Sequence, residues 1–90
     1  MFGSVLSEMD WEVGEVMAAL KEAGVDKDTF VFLTSDNGPS LRCRTEGGNA
    51  GLLKCGKGTT YEGGQREPAI AWWPGRIKPG KTTEVRFVCN

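Results

Sequence analysis

Early in the chain, apolar side chains fall at Leu6, Met9, Val13, Val16, Met17 and Leu20, three and four residues apart. Because a helical turn takes about 3.6 residues, this spacing lines one face, and it predicts an amphipathic helix over residues 4–23. Gly24 is placed to stop it, since glycine enters the left-handed backbone of a helix end without a Cβ clash. The pattern then changes from periodic to continuous. Residues 29–34, TFVFLT, form an unbroken β-branched and aromatic run, which predicts a strand buried on both faces in a parallel sheet. Helix followed by buried strand points to an α/β protein.

Residues 38–64 are too dense in glycine for a long regular element and predict a functional or packing loop. The segment 68–73, PAIAWW, is bracketed by prolines and predicts a short strand closed by the Pro74-Gly75 turn. The final EVRFVCN again has the pattern of a strand. One helix and two or three strands are too few to cover both faces of a parallel sheet, so the chain reads as a piece of a larger fold.

Composition narrows the classes. With 90 residues the chain makes at most one small domain, and such domains bury only about 60% of their unfolded surface. Eleven Lys and Arg against twelve Asp and Glu give a net charge of −1, without a like-charged run, so neither a nucleic-acid stripe nor a polybasic membrane patch is expected. No apolar run approaches the roughly 20 residues of a membrane span, and MFGSVLSEMDW lacks the basic and apolar regions of an export signal. Cys43, Cys55 and Cys89 form neither an even set nor a CxxC pair, which argues against a closed disulfide framework or a zinc site.

Two stretches carry candidate chemistry. Ser35-Asp36-Asn37-Gly38 has the composition of a turn, but at the carboxyl end of a strand Asp36 and Asn37 also offer two hard oxygen donors to a cation such as calcium. Calcium takes about six to eight oxygens, so the pair alone is half a site. GLLKCGK, residues 51–57, begins like a phosphate-binding loop, yet position 58 is glycine where that motif needs Ser or Thr. What remains is a flexible loop carrying Lys54 and Lys57, able to present a cation to an anionic ester or simply to be solvated.

SDNGP followed by GGNAGLLKCGKGTTYEGGQREPAIAWWPG resembles the sulfatase family, in its arylsulfatase A and N-acetylgalactosamine-6-sulfatase branch. The resemblance runs from about Met9 to about Thr82 and is similar to a middle segment of a much longer enzyme. It implies an α/β fragment of an alkaline-phosphatase-like mixed sheet flanked by helices, and a hydrolase of sulfuric esters. It implies that Asp36 and Asn37 are metal ligands for calcium, with magnesium as the alternative, and that Lys57 contacts the sulfate group of a sulfate-ester substrate. A lysosomal or secreted setting follows from the same resemblance. Gly63, Gly64, Arg66, Glu67 and Pro68 match a family signature and read as loop-shaping, Trp72 and Trp73 as core or cover, and Lys54 as a solvated lysine.

The departures are equally specific. No cysteine stands in the Cys-x-Pro-x-Arg context that yields the family's formylglycine nucleophile, no histidine is present, and the family's upstream aspartate pair is missing. Cys55 resembles a family cysteine bonded to a distant partner beyond Asn90. The expectation is an internal fragment of a sulfatase that is inactive alone. The alternatives are a non-catalytic structural or interaction remnant of that scaffold and a phosphate-ester hydrolase of the same superfamily.

Overall fold

The computed structural model describes residues 2–42 and 47–84. Helix α1 spans Phe2–Glu22, a 3-10 turn follows at Asp26–Asp28, and strand β1 is Val31–Thr34. A four-residue helix α2 at Glu62–Gln65 precedes strand β2 at Ala69–Trp72. Gly24 takes φ 71° directly after α1, and the amides of Gly24 and Val25 close back on Lys21 O and Leu20 O at 3.1 and 3.2 Å. A residue with a Cβ would be strained there. The expected glycine loop is not wholly irregular, since α2 begins at Glu62.

The strand expected to lie buried in a parallel sheet does neither. β1 pairs antiparallel with β2, Val31 facing Trp72 and Thr34 facing Ala69, and Phe32 and Leu33 are 39% and 40% exposed. Parallel pairing would need a crossover element carrying the chain back to the start of β1. Here the intervening loops fold on themselves and deliver β2 to the end of β1, so the chain returns like a long hairpin. EVRFVCN falls almost entirely outside the described residues.

Trp73 ties one end of the sheet, where β1 begins and β2 stops, to the turn after α1. Its indole Nε1 donates to Lys27 O at 2.8 Å, its ring packs on Phe30 with centroids 5.7 Å apart, and the Arg76 guanidinium lies 5.0 Å from its centroid. For Trp73 this fits the covering role expected from the sequence. Ile77 and Arg76 donate to Trp73 O at 2.9 and 3.1 Å around Gly75 at φ 80°, which makes the Pro-Gly turn.

No hydrophobic side chain is buried among the described residues. Met9, Val13, Val16 and Met17 of α1 instead face Phe32 and Leu33 of β1 across an open apolar groove of about 280 Å³. The buried positions among the described residues are Gly38, Gly56, Gly63 and Gly64. Tight packing in this chain is backbone on backbone, and it occurs where the candidate site residues lie. No helix among the described residues is long and apolar enough to cross a membrane.

Candidate functional site

The first component leaves the end of β1. Thr34 Oγ1 donates to Pro68 O at 3.0 Å, and Ser35 Oγ donates to Asn37 O at 2.8 Å, closing a tight turn around Asp36. Asp36 is exposed and Asn37 half-buried. The turn that its composition predicts is present, and it holds both donors at the sheet end.

The second component is the loop around Lys57. Cys55 enters it at φ 62°, a left-handed conformation that non-glycine residues adopt at a cost of about 1 kcal/mol or more. Thr59 then donates twice to Gly56 O, from its amide at 3.2 Å and its hydroxyl at 2.8 Å. These bonds fold the loop sharply around Lys57, whose side chain is exposed.

Backbone hydrogen bonds join the two components. Gly38 N donates to Gly64 O at 3.0 Å, Lys57 N to Pro39 O at 2.9 Å, and Gly63 N to Lys54 O at 2.8 Å. The main chain of Lys57 is thereby fixed to the residue two positions beyond Asn37. Glycine is required for this approach. A Cβ on Gly38 would strike the Gly63 carbonyl, one on Gly63 the carbonyls of Cys55 and Lys54, one on Gly64 those of Thr59 and Gly56, and one on Gly56 that of Pro39. Four glycines scattered over 27 positions of sequence thus form one interlock.

The structure brings the backbones of all three sequence-predicted residues to one end of the sheet. Asp36 and Lys57 make no ion pair with each other among the described residues. The carboxylate and amide oxygens of Asp36 and Asn37 suit a hard divalent cation in chemistry, but no group of three or more His, Cys, Asp and Glu gathers to hold a metal among the described residues. Cys55 is a half-buried free thiol, while Cys43 and Cys89 lie outside the described residues.

Two features escaped the sequence reading. Lys54, expected to be merely solvated, places Nζ 4.0 Å from the centroid of the Tyr61 ring, a cation–π contact that ties the start of the lysine loop to its end. As the glycine at position 58 predicts, the GxxxxGK likeness has no nucleotide-loop context: among the described residues no strand leads directly into Gly51, and the next helix is the four-residue α2. The glycine interlock was partly visible as GG and CGKG, but sequence spacing gives no sign that Gly38 would meet Gly64.

Comparison with known proteins shows what the chain is similar to. The Sulfatase family model matches residues 2–88. Arylsulfatase A of Homo sapiens is 54% identical over 84 residues, covering 93% of this chain and 17% of that protein. N-acetylgalactosamine-6-sulfatase of Mus musculus is 51% identical over 83 residues, 91% of this chain and 16% of its own length. Steryl-sulfatase of Rattus norvegicus is 41% identical over 88 residues, covering 92% of this chain and 15% of that protein. The chain spans about a sixth of the length of these curated relatives.

Proposed function

Because this chain belongs to the sulfatase family, we propose that it is the segment of a sulfuric ester hydrolase that supplies half of a metal site and a sulfate-binding lysine. The observation that carries the reading is the backbone junction between the Asp36-Asn37 turn and the Lys57 loop, closed by the Lys57 N to Pro39 O bond at 2.9 Å. The reading implies the parent fold, an alkaline-phosphatase-like mixed sheet flanked by helices, in which β1 and β2 would be neighbouring strands. It also implies a lysosomal or secreted setting.

Cleavage of a sulfate ester develops negative charge on the bridging and non-bridging oxygens. Preorganised cationic groups accelerate such a step when they meet that charge more strongly in the transition state than in the ground state. Lys57 would place its ammonium on a sulfate oxygen, and the folded loop behind it limits the reorganisation needed. Asp36 and Asn37 would each give an oxygen to a calcium ion, or magnesium, with the remaining ligands drawn from the rest of the enzyme. When bound, that ion supplies Lewis-acid stabilisation of the sulfate oxygens. No residue of this sequence stands in the nucleophile's Cys-x-Pro-x-Arg context, so the attacking group belongs to another segment. The isolated chain is therefore expected to be inactive.

The test is made in a full-length sulfatase carrying this segment, obtained by replacing the matching stretch of human arylsulfatase A. Lys57→Ala should lower kcat for a chromogenic aryl sulfate by about a hundredfold or more, as loss of one transition-state charge contact does elsewhere. Asp36→Ala should abolish the rise in melting temperature that added calcium gives the parent chimera. Unchanged kcat in the first and an unchanged calcium response in the second would refute the assignment.

A further inference from the structure

The Arg66-Glu67 doublet divides its two side chains between solvent and interior. Arg66 follows α2 in extended backbone, φ −85° and ψ 104°, and successive side chains of extended chain leave on opposite sides. The Arg66 guanidinium turns outward to Glu62 at 3.9 Å, both side chains more than half exposed. Glu67, the next residue, is half-buried, and its Oε1 is a buried oxygen with no hydrogen-bond partner among the described residues. Native structures pair nearly all such atoms, because an acceptor removed from water without a donor is destabilising.

The place of Glu67 in the fold indicates what a donor there would hold. On one side of it, Gly64 O accepts from Gly38 N, and on the other, Pro68 O accepts from Thr34 Oγ1. Residues 34–38, which contain Asp36 and Asn37, are thus tied to the chain on both flanks of Glu67. Continuing the ladder beyond Thr34 and Ala69 brings position 36 level with position 67, and the Gly38 to Gly64 bond stays within one residue of that register.

We propose that Glu67 is a positioning residue: its buried oxygen accepts a hydrogen bond from a donor contributed by the longer enzyme outside this chain, and that bond fixes the Asp36-Asn37 turn against the Lys57 loop. The inference rests on the reading of this segment as part of a full-length sulfatase. Glu67 itself touches neither substrate nor metal in this assignment, and it acts through the turn.

The test uses the same full-length chimera with Glu67→Ala and with Glu67→Gln, which keeps the size and an acceptor oxygen. Glu67→Ala should speed hydrogen exchange at the Gly38 amide about tenfold and lower kcat about tenfold with KM within about twofold, as expected for loss of one buried hydrogen bond. Glu67→Gln should restore both to within about threefold of the parent. Unchanged exchange in Glu67→Ala overturns the proposal, as do equal losses in the two variants or a lowered melting temperature with unchanged Gly38 exchange. Lys57→Ala separates the two claims. If it leaves kcat intact, the site reading fails whatever Glu67 does, and exchange at Gly38 still reports on Glu67 in a chimera without turnover.

Discussion

At Gly63 a single hydrogen decides whether the candidate site can assemble. Its missing Cβ leaves room for the carbonyls of Lys54 and Cys55, and its amide donates to the first of them at 2.8 Å. Gly63→Ala must push the lysine loop away from α2, and overpacking of this kind typically destabilises by about 1–3 kcal/mol. In the full-length chimera the expected outcome is a lower melting temperature together with reduced kcat. A variant with the parent's melting temperature and turnover would show that the glycine interlock is dispensable. At this scale the sequence was informative about chemistry and silent about contact. Asp36, Asn37 and Lys57 stand out by residue type and motif, whereas the burial of Gly38 against Gly64 depends on a chain reversal that no local pattern encodes. Lys54 illustrates the same limit, because its ring partner Tyr61 is distant by helical or strand periodicity and becomes adjacent only when the loop closes.

Among the elements, α1 and the Pro-Gly turn were legible because their signals are local: apolar spacing of three and four, a stopping glycine, and a proline that presets its backbone. The partner and direction of β1 were not. A continuous apolar run says that both faces seek cover, and it does not say which strand will lie beside it. The antiparallel pairing follows from the loops between, and the Trp73 anchor then holds the far end. Trp73→Phe keeps a ring against Phe30 but removes the indole donor to Lys27 O, so it should destabilise the chimera by about 1 kcal/mol in denaturant unfolding. Trp73→Ala, which loses the ring contact as well, should be worse. Equal stability of Trp73→Phe and parent would remove the hydrogen bond from this account.

For the whole chain, the decisive fact is the lack of any buried hydrophobic side chain among the described residues. Trp11 and Ile70 remain 63% and 62% exposed, and burial of apolar surface, at about 25 cal/mol per Å², is the main force available against chain entropy. The isolated 90-residue chain should therefore bind a hydrophobic dye and melt without a cooperative transition. A sharp transition without dye binding would instead favour an autonomous interaction module. The absence of a core among the described residues agrees with a chain that spans about a sixth of the length of its relatives.

The central claim is that this segment supplies working parts of a sulfatase site. The measurement that tests it most directly is the turnover of an aryl sulfate by human arylsulfatase A in which the matching stretch is replaced by this chain, compared with the unaltered enzyme. The chimera should fold and retain kcat within about tenfold, a loss no larger than roughly 1.4 kcal/mol in the barrier. A chimera that folds and melts like the parent enzyme yet shows no turnover would contradict it.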